Sequence, residues 1–136
     1  MTTTAQITEW ITAHTGECID RDGLYGAQAP DLVNAYAADL FGLPHVLGHG
    51  KDVAGNLVRS HGWEEITPDQ PAEFGDVFST GPYGGGYGYC GVVIAPRGDK
   101  LVVFAQNNDG TGEDPASLQL ISKADVIGYA RPPIKG

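Results

Sequence analysis

Helical and extended patterns occupy different parts of this chain, and that segregation limits its fold more than any other feature. Thr3 or Thr4 can cap a first helix that carries Ile7, Trp10 and Ile11 at helical spacing and ends near Gly16. A second helix is predicted from about Gln28 to Phe41. Leu32, Val33, Tyr36, Ala37 and Leu40 lie on its inner face, Pro30 sits in its first turn, and Gly42 and Pro44 stop it. A shorter third helix around Asp52–Ser60 presents Val53, Leu57 and Val58. Beyond it the patterns become extended: Trp63–Ile66, Asp76–Ser79, Cys90–Ala95, Lys100–Gln106, Ser117–Ser122 and Val126–Ala130. Pro96-Arg97-Gly98-Asp99 joins two of these runs as a hairpin. Helices first and an antiparallel sheet afterwards is an α+β order.

With 136 residues, 41% hydrophobic and 18% charged, the chain is predicted to form one globular domain over residues 1–136. The 20 glycines and nine prolines predict many turns and short elements. No apolar run is long enough for a membrane span. Met1-Thr2-Thr3-Thr4 has neither the basic region nor the apolar stretch of a secretory signal, so release by lysis or within a larger particle is expected. Seventeen acidic against eight basic side chains give a net charge of −9. Such a surface repels nucleic acid and other polyanions and welcomes cations. Cys18 and Cys90 are too few for a disulfide framework; one bridge and two buried thiols are both open.

The segment from Asp20 to Asp31 carries the sharpest chemistry. Asp20 and Asp22 flank a tight loop at Gly23, Leu24 and Gly26 offer backbone carbonyls, and Asp31 closes the ring from the start of a helix. Positions one, three, five, seven and twelve of this segment match the rhythm of an EF-hand loop. It departs from that pattern in lacking the glycine at position six and in closing with Asp rather than Glu. Carboxylates and carbonyls in this number suit a hard cation, Ca2+. A plainer account is also open, in which Asp20 and Asp22 form Asx-turns and Asp31 favours the helix N-terminus.

The run Asp20-x-Asp22-Gly23-x-Tyr25-Gly26-x-Gln28-Ala29-x-Asp31 resembles the signature of CHAP domains, the amidase and endopeptidase modules of phage lysins. Gly62-Trp63 with Ile66, Gly75-Asp76-Val77, Tyr87-Gly88-x-x-Gly91-Val92-Val93 and Gln106-Asn107 fall in the family's order, so the resemblance covers most of the chain. It implies a papain-like fold, with N-terminal helices packed on an antiparallel half-barrel, and it supports calcium at Asp20, Asp22, Leu24, Gly26 and Asp31. It also implies where catalysis would sit. The family's nucleophilic cysteine falls at Ala29, its histidine base at Tyr89 and the polar residue orienting that base at Ala105; of the familiar side chains, Asn107 remains. A methyl group cannot attack a carbonyl, and a phenol that titrates near pH 10 cannot deprotonate a thiol at neutral pH.

Relocated chemistry finds little support. Strand alternation turns Cys90 away from Tyr89, and Cys18 has no expected histidine neighbour. His14, His45, His49 and His61 precede the sheet, and Pro44, Gly48 and Gly50 oppose a helical His45/His49 metal pair. The stretch Gly81–Tyr89 is no phosphate loop, because a strand follows it and no Gly-Lys-Ser/Thr does. Tyr83 is assigned to a plain connection between strands and Tyr89 to the rim of the old groove, with Tyr87 between them. The expectation is therefore a catalytically inactive, calcium-stabilised domain that binds phage structural proteins or cell-wall peptidoglycan, in a virion or in host cytoplasm before assembly. The alternative is a peptidoglycan hydrolase, an amidase or endopeptidase, whose nucleophile was mutated or moved.

Overall fold

The computed structural model describes residues 1–20, 28–81, 86–108 and 111–135. Helix α1 spans Thr4–His14, α2 Ala29–Phe41 and α3 Gly50–His61; strands β1 to β6 span Glu64–Ile66, Val77–Thr80, Cys90–Arg97, Lys100–Ala105, Ser117–Ser122 and Val126–Arg131. The expected α+β order is therefore the observed one, with boundaries moved by a residue or two. Thr3 caps α1: its side chain accepts the Gln6 N–H at 3.2 Å, and Gln6 Oε1 accepts the Thr3 N–H at 2.9 Å.

The strands form a single antiparallel sheet in the order β1-β6-β2-β3-β4-β5. The β3–β4 hairpin turns through Gly98-Asp99, since Arg97 pairs with Lys100. Gly98 has φ +63, the left-handed conformation that such two-residue turns demand.

Helices cover one face of the sheet. On that face Phe104 meets the Trp10 ring edge-on, with centroids 6.0 Å apart, and Ser79 Oγ accepts the Ala54 N–H of α3 at 2.9 Å. Trp10 in turn packs edge-on against Tyr36 of α2 and donates from Nε1 to Asp39 at 2.9 Å. One continuous core results, with Ile7, Leu32, Tyr36, Leu57, Phe78, Phe104 and Val92 fully buried. Asn34, itself buried, exchanges hydrogen bonds with Val46, whose N–H reaches Asn34 Oδ1 at 2.6 Å. That exchange ties the connection between α2 and α3 back onto α2. No helix among the described residues is long and apolar enough to cross a membrane.

Candidate functional site

The predicted cation ligands Asp22, Leu24 and Gly26 lie outside the described residues, as does Tyr83; Asp20 and Asp31 lie within them. Asp20 is exposed, whereas Asp31 is buried in the first turn of α2 and accepts the Gln28 N–H on Oδ2 at 3.0 Å. This is the helix-capping geometry of the plainer account, and one carboxylate can serve both as a cap and as a ligand. Among the described residues, no cluster of three or more His, Cys, Asp or Glu side chains is arranged to hold a metal. The donors that are in place nonetheless fit a hard cation in kind. They are carboxylate oxygens, one on the chain entering the segment and one at the positive end of α2.

The two ends of that segment meet at a residue whose role the sequence did not disclose. Gln106 follows β4 and has no exposed surface. Its Oε1 accepts the Ile19 N–H at 2.9 Å, while its Nε2 donates to Ile19 O at 2.7 Å and to Gln28 O at 2.8 Å. The entering chain is held further by Gly16 N–H to Ala116 O and Ala116 N–H to Glu17 O, both 2.8 Å, and by Cys18 Sγ–H to Glu113 O at 3.5 Å.

Of the three positions to which the resemblance assigns catalysis, Tyr89 and Ala105 are joined through one side chain, and the neighbours of Ala29 and Ala105, Gln28 and Gln106, share a hydrogen bond. Ala29 opens α2, next to Gln28, whose carbonyl is bound by Gln106, and two residues before Asp31, which lies beside Cys90. Ala105 ends β4 against Gly91, where an added Cβ would come within 2.8 Å of the Ala105 methyl. Tyr89 and Ala105 are linked through Gln119 of β5. The Tyr89 hydroxyl donates to Gln119 Oε1 at 3.0 Å, and Gln119 Nε2 donates to Ala105 O at 3.2 Å.

Tyr89 is only 4% exposed, so it does not form the open aromatic rim assigned to it from sequence; the exposed ring is Tyr87, at 57%. The ring lies against Phe78, with centroids 6.2 Å apart, and its hydroxyl reaches Gln119, while the first residue of α3 rests on the Tyr89 backbone: a Cβ on Gly50 would fall 2.8 Å from both Tyr89 Cα and N. Asn107 is also committed elsewhere. It adopts φ +63, and its Oδ1 accepts the Gly112 N–H at 2.7 Å, within the β4–β5 connection.

Two hollows, of about 410 and 540 Å³, lie instead where Phe41 and Pro133 meet, and neither is lined by Ala29, Tyr89 or Ala105.

The thiols do not pair. Cys18 is exposed and Cys90 is buried, which also departs from the alternative of two buried thiols. Burial, and then the neighbouring Asp31 carboxylate, push the Cys90 thiol well above the ordinary cysteine range. A nucleophilic cysteine needs the opposite shift. His14 hydrogen-bonds Trp10 O at 2.7 Å and stacks on the Trp10 ring, and His49 packs against Tyr87.

With this geometry in place, the solved structures similar to the chain can be compared with it. The wild-type endolysin LysIME-EF1 superposes with a TM-score of 0.83 at 24% identity, covering 99% of this chain and 66% of that one. Ly7917 superposes with a TM-score of 0.71 at 21% identity over 97% of this chain and 63% of that one. Ly7917 with the hydrolyzing product of MDP gives 0.68 at 20% identity, over 90% and 60%. This is an endolysin-like fold. The chain spans less than two thirds of the length of these structures. No family model matches it.

Proposed function

We propose that this chain is a CHAP-type domain that no longer cleaves, is stabilised by calcium, and serves as a binding or structural component of a bacteriophage particle, in its tail or head. The observation that carries the proposal is the pair of side chains standing where the resemblance assigns the nucleophile and the base. Where the resemblance puts the nucleophile this chain has the methyl group of Ala29, and where it puts the base it has the phenol of Tyr89, which is buried and bonded to Gln119. Neither side chain can generate or activate a nucleophile at neutral pH. The endolysin-like fold makes peptidoglycan or a neighbouring phage protein the expected partner, and the net charge of −9 disfavours nucleic acid. Turbidity loss and muropeptide release from purified cell walls test the proposal. The chain as it stands is expected to release nothing while still sedimenting with walls or co-purifying with particles. Release of muropeptides by the unmodified chain would overturn it in favour of the second reading, a peptidoglycan amidase or endopeptidase, which the superposition on LysIME-EF1 favours.

Calcium is the second part of the proposal. Asp20 and Asp31, with Asp22 and the carbonyls of Leu24 and Gly26, would supply oxygen ligands, and the cation would offset carboxylates that otherwise repel one another. At a hundredfold excess of free calcium over Kd, binding adds about 2.7 kcal/mol to stability. A chelator should therefore lower the melting temperature of the wild-type chain and leave Asp20→Ala and Asp22→Ala unmoved. A wild-type melting curve indifferent to chelator would remove calcium from the proposal.

A further inference from the structure

The geometry points to β5 as a self-complementary interface, through which the edge of this sheet pairs antiparallel with the same edge of a second copy of the chain. This interface does not depend on the function proposed above. β5 ends the sheet order, and among the described residues its only strand partner is β4. The direction of its other backbone groups follows from the bonds at its two ends. Lys123 N–H donates to Asp99 O on the β4 side at 3.0 Å, whereas Ala116 turns its N–H and carbonyl to Glu17 O and Gly16 N–H, both at 2.8 Å. Backbone groups of an antiparallel strand alternate in direction. Gln119 and Ile121 therefore bond toward β4 with Lys123, and Leu118 and Leu120 point outward with Ala116. Their side chains are open as well. Leu118 stands opposite Phe104 and Leu120 opposite Val102, on the face that the helices cover, yet they are 58% and 56% exposed, so the helices do not reach them.

Sheets protect an open edge with charge, proline, a bulge or brevity. The opposite edge of this sheet does so, because β1 is three residues long and begins with the exposed Glu64 and Glu65. β5 has no charge and no proline, and its ladder with β4 runs without a register shift. The open window is short. Gly16 and Glu17 close it at Ala116, and the 3-10 turn Lys123–Asp125 ends it beyond Ser122. Such a window fits itself in one register. With Leu118 opposite Leu120 of the second copy, and Leu120 opposite Leu118, both pairs exchange N–H···O bonds and the leucines of the two copies gather on one face. Pairing Leu118 with its own equivalent would instead set Leu120 against the occupied Ala116. The favoured register also brings the end of the window that carries Glu17 to the end that carries Lys123 in the second copy, an acid to a base. A contact this small belongs to the weak, transient class.

The test is sedimentation equilibrium of the full chain from about 10 μM to about 1 mM, with amide exchange read residue by residue by NMR at both ends of that range. The wild type is expected to pass from monomer to dimer. Over the same range the Leu118 and Leu120 amides should go from fast to slow exchange, while Gln119 and Ile121, bonded to β4, stay protected throughout. Leu120→Lys is expected to raise the dimer Kd about tenfold or more. Leu120→Pro should do the same, because the N–H it removes faces away from β4 and costs the fold no ladder bond. Leu47→Lys, at another exposed leucine ahead of α3, should leave Kd unchanged. A wild type that stays monomeric to about 1 mM overturns the proposal and leaves this edge to a strand of another protein. A dimer that forms without protecting Leu118 and Leu120 also overturns it, as does one that Leu47→Lys weakens as much as Leu120→Lys. If Leu120→Pro does not fold, Leu120→Lys decides between these outcomes.

Discussion

Cys90 and Cys18 are in opposite environments. Cys90 faces α2 from the first position of β3, and burial and the Asp31 carboxylate both favour its neutral thiol; Cys18 stands in solvent with only a weak bond to Glu113 O. Because only the thiolate reacts, iodoacetamide at pH 8 should modify Cys18 in the native protein and reach Cys90 only after denaturation. Peptide mass spectrometry reads both sites, and native alkylation of Cys90 at the rate of Cys18 would contradict this assignment. At this scale the sequence was legible where a residue's type already restricts its surroundings. Pro30 and Asp31 announced the first turn of α2, and alternation separated Cys90 from Tyr89. The roles of Gln106 and Gln119 were not legible. A glutamine near the end of a β-run reads the same whether its amide reaches solvent or joins two distant backbone segments. The burial of Tyr89 was missed for a related reason, since its ring and hydroxyl meet Phe78 and Gln119 on two other strands.

Between elements, β2 and β6 are joined by more than their ladder. Arg131 at the end of β6 donates from Nε and Nη2 to the two carboxylate oxygens of Asp76, both at 2.9 Å, from Nη2 to Pro71 O at 3.1 Å, and pairs with Glu73 at 3.1 Å. Asp76 has no exposed surface and also accepts the Glu73 N–H on Oδ2 at 2.9 Å. The guanidinium pKa is raised, first by its hydrogen bond to Asp76. Arg131→Met would leave that carboxylate buried without its cation. The expected loss is about 3 kcal/mol, at the lower end for a broken buried pair because Arg131 is partly exposed. A urea midpoint lowered at constant slope would confirm it, and an unshifted midpoint would refute it. The helices and strands themselves were legible from periodicity and β-branched runs. The place of β6 in the sheet was not, because strand patterns carry no record of which neighbour they pair with.

Over the whole molecule, the phenols and the thiol with displaced titrations point one way. Tyr36 and Cys90 are held protonated chiefly by burial, and Tyr129 shifts in the same direction. Their folded values lie above their unfolded ones, so the stability they contribute is fully present below the unfolded pKa. It is lost as pH rises above that value, because the unfolded chain then releases protons that the native chain retains. For Cys90 the decline begins near pH 8.5 and for Tyr36 near pH 10, at about 1.4 kcal/mol per pH unit for each of these two groups. Melting temperatures measured from pH 7 to 10.5 should hold level and then fall, and Cys90→Ala should delay the first part of the fall. A flat profile to pH 10.5 would contradict these burial assignments. The overall architecture was the most legible part of the chain, since helical spacing ends before Trp63 and extended spacing begins there.

The sheet order has a consequence for how this protein is made. β6, the last strand, lies between β1 and β2 and supplies the partner that each of them needs on one side. A ribosome releases these residues after those of the other five strands, so β1 emerges with no strand to pair with and β2 with one edge open. Until residues 126–131 leave the exit tunnel, the nascent chain can assemble only the β2-to-β5 meander. A messenger truncated before that point would encode a sheet with a gap in its middle, prone to capturing a strand from another nascent copy.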